Sequence, residues 1–546
     1  MKRVDCAGCC RPVFSLLVIL AAMLPTLAAD PEPLSLSLAD VVARALEHNL
    51  DIAVARLDPR RDEQGVVISE AVFDSRVEAN ASYTEISQEP TSDFSLESQT
   101  SKRASVAWID PLQSGGSWQA SLAYNELIQT FPAEAEARFG IVPTRADASF
   151  TLQFTQPLLR NYGLSINRTQ IEQAKNTLRI TEAQFRDRVM EVIEAVEAAY
   201  WDLVGARRQQ AVAERSMKLA EDFLRQTKVK VEVGTLPPIE ITTAEAEVAG
   251  RDEALIVAEN EVRDAEDNLR ALMRVPSTSA DWDRPIFPTD QPPFYPVELD
   301  EDLAIEQALA RRASLVQAEL NLKNAELSEK WRRNQVRWDL SANASYTTSG
   351  NSFDFVPGTG SSTVLDFFGP DGIFLSGDEQ GRAFEVQFDR LVREDQSKTE
   401  AFSELPSLDN TNWTVALSLK VPLGNRNARA ELARARIALD QAALRVDATR
   451  QALRVEVRQA VRSVRTASRR VHSAQVNAEL QKKKTDAEQK RYENGLSTAY
   501  QVLQFQRDFL EAESREIRAI IDYNKALSRL ERVKGTLLEA RRIHLD

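Results

Sequence analysis

Residues 491–503 read Arg491-Tyr492-Glu493-Asn494-Gly495-Leu496-Ser497-Thr498-Ala499-Tyr500-Gln501-Val502-Leu503, and residues 230–241 read Lys230-Val231-Glu232-Val233-Gly234-Thr235-Leu236-Pro237-Pro238-Ile239-Glu240-Ile241. In each stretch a lone glycine stands between two runs of helical periodicity. Glycine accepts the positive φ at which a helix can end before a tight reversal. Beyond it, Ser497 or Thr498 can cap a returning helix, and Pro237 or Pro238 suits its first turn. The pattern predicts two helical hairpins with tips at 233–238 and 493–498.

Outward from the tips, proline-free helical runs extend back over about 164–229 and 427–491, and returning helices are predicted over 239–274 and 499–540. At 1.5 Å per residue a helix of some 65 residues reaches about 100 Å, more than a globular domain spans. Apolar residues step by threes, fours or whole heptads. One set is Ile171, Leu178, Phe185, Val189, Val192, Val196, Ala199 and Leu203; the other is Leu439, Val446, Leu453, Val457, Ala460, Val464, Ala467 and Val471. This is coiled-coil spacing, and alanine at many seam positions favours close packing in antiparallel pairs or a helical tube.

The chain is written twice. Ala-Asn-Ala-Ser-Tyr-Thr occurs at 79–84 and again at 342–347, and Gln-Pro-Leu at 156–158 mirrors Val-Pro-Leu at 421–423. Such a period marks a duplicated half rather than a solenoid unit. The first repeat covers 30–275 (helices 37–72, strands within 76–157), and the second covers 298–546 (helices 299–336, strands 338–348 and 411–421). Between them lies a proline-rich linker at 276–297. Strand segments alternate with period two: Val77, Ala79, Ala81 and Tyr83 face one way, Glu78, Asn80, Ser82 and Thr84 the other. An extra pair, about 103–109 and 117–125, occurs in the first half alone. The polar stretch 349–409 reads as a surface loop.

With tips, strand-Gln-Pro-Leu-Leu exit and duplication taken together, nearly the whole mature chain resembles the outer-membrane efflux protein (TolC-like) family. The resemblance implies a mixed α+β membrane protein: a homotrimeric outer-membrane β-barrel, four strands per protomer, continued by a long periplasmic α-helical coiled-coil barrel. Its implied role is the exit duct of a tripartite efflux pump or type I secretion system. A periplasmic adaptor would couple it to an inner-membrane RND, ABC or MFS-type transporter. The adaptor-docking tips would be Val233, Gly234, Thr235, Leu236, Asn494, Gly495 and Leu496. For the periplasmic gate, Glu240 falls where an acidic bridging residue is expected and Tyr492 on the tyrosine of the same polar network. Ser497 stands at the arginine position, leaving Arg491 or Lys230 to supply the cation, and Gln501 and Gln504 stand at the acidic-ring positions. Tyr83, Trp108, Trp118, Tyr124, Phe154, Trp338, Tyr346 and Trp413 are candidate interface aromatics.

Composition narrows the alternatives. The chain has 546 residues, 43% hydrophobic and 27% charged, with a formal charge of −14, so it carries no electrostatic footprint for nucleic acid. Lys2, Arg3 and Arg11, an apolar run from Val13 to Leu24 and a small-residue stretch to Ala29 form a secretory signal peptide at 1–29. The three cysteines, Cys6, Cys9 and Cys10, all fall inside that leader, where they read as discarded sequence rather than a metal pair. The three histidines, His48, His472 and His544, are scattered, and no nucleophile motif or phosphate loop is visible, so neither a catalytic site, a metal nor a cofactor is expected. The competing reading is a non-pore periplasmic adaptor or coiled-coil scaffold. That reading would show one hairpin beside compact β domains rather than strands interrupting two hairpins.

Overall fold

The computed structural model describes residues 33–92, 95–132, 144–275, 282, 284–354, 362–365, 383–386, 398–494 and 496–545. The leader, most of the first part of the linker and much of the 349–409 segment lie outside the described residues, as does Gly495.

The described chain divides into two compact units. One comprises the N-terminal segment to Asn49, Ala195–Phe294 and Val471–Asn524; the other comprises Leu50–Glu194, Tyr295–Arg470 and Lys525–Asp546. Elements in chain order are β1 (Leu34–Leu36), α1 (Leu38–His48), α2 (Leu50–Glu70), β2 (Arg76–Ser87), β3 (Ser98–Pro111), β4 (Ser117–Thr130) and β5 (Thr144–Pro157). There follow α3 (Thr169–Glu232), α4 (Ile239–Met273), β6 (Ile286–Pro288), α5 (Glu301–Arg311), α6 (Ala313–Gln335), β7 (Asp339–Asp354), β8 (Thr411–Lys420), α7 (Arg426–Glu493) and α8 (Ala499–Lys534). The last helix stops short of 540, because Gly535 takes φ +74° and reverses the backbone before a short turn at Leu537–Ala540.

In the first unit the seam residues close a helical core in which Tyr200, Leu203, Val502, Tyr523 and Leu269 are fully or almost fully buried. Gly205 lets α3 approach α8; a β-carbon there would stand 3.3 Å from Ile521. A parallel two-stranded sheet joins β1 to β6, pairing Leu34 with Ile286 and Leu36 with Pro288. Beside it, Glu266 is a buried carboxylate satisfied from several sides: by Arg207 at 2.6 Å, Arg270 at 2.9 Å and the Ile286 amide at 3.2 Å. Tyr200 donates to Asp290 at 3.0 Å, and Asp290 also accepts from the Leu38 amide at 2.7 Å. Burial pushes the Tyr200 hydroxyl up to about 12.

In the second unit a six-stranded antiparallel sheet runs in the order β8-β7-β5-β4-β3-β2. The extra pair of the first half is therefore neither a separate hairpin nor an edge addition. It lies inside the sheet, between β2 and β5, so the sheet of one chain has six strands where the resemblance implies four per protomer. Its tight turn is anchored: the Leu112 amide donates to Gly116 at 2.8 Å, and Gly163 donates to Ser114 at 3.1 Å. Gly115 has φ +95°, and a β-carbon there would fall 2.2 Å from the Asn161 carbonyl. A further difference is β7, which continues to Asp354 because its residues 349–354 pair with Thr144–Ser149 of β5.

Candidate functional site

Two places carry the functional expectations, and each is built within one unit.

The first is the pair of hairpin tips. At tip one, α3 ends in a Schellman arrangement, with Gly234 at φ +77°, its amide bonded to Val231 at 2.9 Å, and the Thr235 amide bonded to Lys230 at 2.8 Å. The Thr235 hydroxyl adds a second bond to the same Lys230 carbonyl at 2.7 Å. At tip two the Leu496 amide reaches Arg491 at 2.8 Å, and the Asn494 side chain donates to Lys490 at 2.7 Å. The Gln501 amide donates to the Thr498 hydroxyl at 3.4 Å, so Thr498 serves the start of α8. Val233 is 67% exposed and Leu496 70%, which leaves an apolar knob at each tip.

Beneath the tips lies a cluster of Phe223, Ala244, Tyr492, Ala499, Val502 and Leu503. Tyr492 is only 4% exposed. Its ring lies 5.8 Å from that of Phe223, and the Lys230 ammonium sits 3.9 Å from its centroid. The expected hydrogen bond from Tyr492 to Glu240 is not made within the chain. The buried hydroxyls of Tyr492 and Thr227 both lack a partner in hydrogen-bonding geometry among the described residues. Helical phase explains the difference: three residues before the glycine, Tyr492 faces the core of its own hairpin. Burial pushes its hydroxyl above the ordinary tyrosine value; the adjacent Thr227 pulls the other way, and the Glu240 carboxylate adds to the rise.

The acid that the second tip does engage is Glu488, which sequence reasoning passed over. It is 6% exposed, accepts from the Ser497 hydroxyl, and pairs with Arg491 at 3.1 Å. Ser497 also contacts Gln501 at 3.0 Å. Gln504 bonds Asp508 at 3.0 Å and Arg507 at 3.2 Å, away from this group. The structure thus joins Arg491, Ser497 and Gln501 around Glu488, while Lys230 covers Tyr492. The signal in the sequence was positional: Glu488 stands seven residues before Gly495, as the buried Thr227 stands seven before Gly234.

The second place is the sheet. Residues directly opposite one another in an antiparallel ladder share a face. One row therefore joins Val77, Trp108, Ala120, Leu152, Tyr346 and Trp413, and the next row toward the loops joins Ala79, Val106, Leu122 and Phe150 before it turns polar at Thr348 and Thr411. This face is apolar. The opposite face carries Glu78, Arg103, Gln119, Gln153, Ser345 and Thr414, of both charge signs. All eight aromatics singled out in the sequence share the apolar face, Trp338 by its phase just before β7. They fall at the ends of the apolar runs: Trp108, Trp118, Phe154 and Trp338 toward the helical connections, Tyr83, Tyr124, Tyr346 and Trp413 toward the long loops. The six residue steps from Trp118 to Tyr124 on β4, and the eight from Trp338 to Tyr346, amount to roughly 20–26 Å of strand at about 3.3 Å per step. At the loop end a helical turn, Glu400–Ser403, lies on this face, with Phe402 stacked 5.3 Å from Tyr124 and Lys398 paired with Glu126 at 2.6 Å.

The outer strands are open: β2 is exposed along its whole length, and β8 exposes every residue but one. No helix among the described residues is long and apolar enough to cross a membrane.

The fold is that of several solved channels. It matches the Campylobacter jejuni CmeC outer membrane channel at TM-score 0.60 and 13% identity, covering 92% of this chain and 86% of that one. A membrane protein from Pseudomonas aeruginosa gives 0.60 at 17% identity (92% and 91% covered), and the outer membrane protein VceC from Vibrio cholerae gives 0.59 at 14% (91% and 96%). No curated protein matches the chain in sequence. The family model for outer membrane efflux proteins matches twice, over 142–273 and 391–536, one match in each half. Those matches take in just over half of the chain, and it belongs to the outer membrane efflux protein family: an outer-membrane channel and not an enzyme.

Proposed function

We propose that three copies of this chain form a passive exit duct of a tripartite efflux pump or type I secretion system. An inner-membrane transporter would supply the energy, through a periplasmic adaptor seated on the hairpin tips. The observation that carries the reading is the sheet: one apolar face banded by aromatics, one polar face and two open edges. Such a sheet is stable in lipid only when neighbouring copies complete a closed ring, since every backbone group must be paired there. The tips supply a docking surface in Val233 and Leu496, where small neighbouring residues admit another backbone. Glu240, Arg491, Gln501 and Gln504 are the candidate gate residues, with Tyr492 holding the tip from beneath.

The test is Gly495→Glu, expressed in a strain lacking redundant channels. Export should be abolished, with trimer yield in the outer-membrane fraction unchanged. Normal export would remove the tips as the docking site, and a soluble monomer from correctly exported parent protein would remove the whole reading.

A further inference from the structure

The sheet carries more than membrane residence, because its strand count and its slant together fix how copies must join. We infer that β2 of one copy pairs antiparallel with β8 of the next, so that a trimer closes an eighteen-stranded barrel, half again as wide as four strands per chain would allow. The inference rests on the trimeric channel proposed above.

Three observations converge on that pairing. The first is direction: β2 leaves the helical connections and β8 returns to them, so β8 of a neighbour meets β2 head to tail, as each adjacent pair inside the sheet already does. The second is slant. Val77 on β2 and Trp413 on β8 belong to one row, yet the apolar run leaves that row toward Tyr83 on β2 and toward Leu419 on β8. The band therefore slips six residues across the five steps between the outer strands. With about 3.3 Å per residue and about 4.8 Å between strands, that slip corresponds to a strand tilt of about 40°. This is the tilt at which β-barrels close. A sheet built to stay open, or to lie flat against helices, needs no such slope in its apolar band.

The third is charge. Continuing the same slope by one step sets Ala81 opposite Leu417 of the neighbour. That register brings Glu78 on the polar face of β2 opposite Lys420 on the polar face of β8, and opposite charges facing across strands stabilise a ladder.

The extra pair is part of the wall rather than a flap, since β3 and β4 are bonded on both sides along their length. Barrel diameter grows roughly in proportion to strand number. The exit is thus wide and lined by polar groups of both signs, such as Arg103 and Asp147, and it is not the element that limits the size of a polar cargo.

The test uses the full exported chain, which has no cysteine beyond residue 10. Two double variants, Ala81→Cys/Leu417→Cys and Asn80→Cys/Ser418→Cys, cover adjacent pairs. One of them must be the closer, non-hydrogen-bonded kind in which the α-carbons lie about 4.5 Å apart. Mild oxidation should convert one variant into covalent two-chain and three-chain species in denaturing gels, and a cryo-EM map of the parent trimer should show eighteen strands. A trimer that gives no ladder in either variant, or that shows twelve strands with β3 and β4 outside the ring, would overturn the inference and leave the channel reading standing. If the parent is monomeric, the channel reading falls first.

Discussion

The two hairpin tips answer one geometric demand with different chemistry. At tip one the turn is held by backbone and proline: the Schellman bonds around Gly234, the Thr235 hydroxyl on Lys230, and Pro237–Pro238 leading into α4. At tip two it is held by side chains: Glu488 gathers Ser497 and Arg491, and Asn494 closes onto Lys490. Aligned on their glycines, the positions pair off as Thr227 with Glu488, Lys230 with Arg491, Val231 with Tyr492, and Glu240 with Gln501. Lys230 and Arg491 keep the same charge; in the other three pairs one residue is neutral or small where the other is charged or bulky. Two copies of one hairpin have thus divided the work, and the second carries both the buried acid and the aromatic that fill the space between them.

That asymmetry can be broken residue by residue. The largest effect is expected at Tyr492. Replacing it by alanine removes a ring packed on Phe223 and should cost about 3–5 kcal/mol of local stability, whereas Val231→Ala, at a half-buried site outside that cluster, should cost less than about 1 kcal/mol. Limited proteolysis at the tips under native conditions reads the difference; equal sensitivity of the two variants would erase the contrast.

Glu488→Ala should come next. It removes the Ser497 hydrogen bond and the ion pair to the solvent-exposed Arg491 guanidinium, with a cost of about 1 kcal/mol. Thr227→Val, at the matching position, removes a hydroxyl that has no bonded partner among the described residues, and should be neutral or slightly stabilising. Amide hydrogen exchange of the two turns would separate them, and protection lost equally in both variants would show that Thr227 is also bonded.

The smallest effect concerns pH. The folded-state pKa of Tyr492 is raised, so its stabilising contribution is complete below about pH 10 and is lost as pH climbs through the raised value. Tyr492→Phe should flatten the alkaline limb of the tip's stability, measured by proteolysis from pH 9 upward. Tip one has no counterpart, so Val231→Phe should leave the slope as it is.

Helices and tips were legible in the sequence because their periodicity is long and glycine punctuates it. The seam residues Val189, Leu203, Val457 and Val464 are all buried as read. The aromatic face was legible too, since a period of two assigns faces without knowledge of partners. The sheet order was not, because alternation in 98–111 and 117–130 fixes which side a residue faces but not which strand lies beside it. The run 349–354 escaped because Gly350 and Ser352 interrupt the apolar alternation while the ladder to β5 continues. Glu488 was missed for a different reason. A glutamate three residues before an arginine on a helix reads as an exposed ion pair, and its burial follows from the returning chain that places Ser497 over it.

The anchored turn at 112–116 has a consequence for how such a sheet can change size. Because β3 and β4 enter as one hairpin, β5 still runs back to the helices, and no later connection is rerouted. A single added strand would invert the polarity of everything after it. The sheet of one chain can therefore widen only in steps of two strands, with the connections to the helices left as they are.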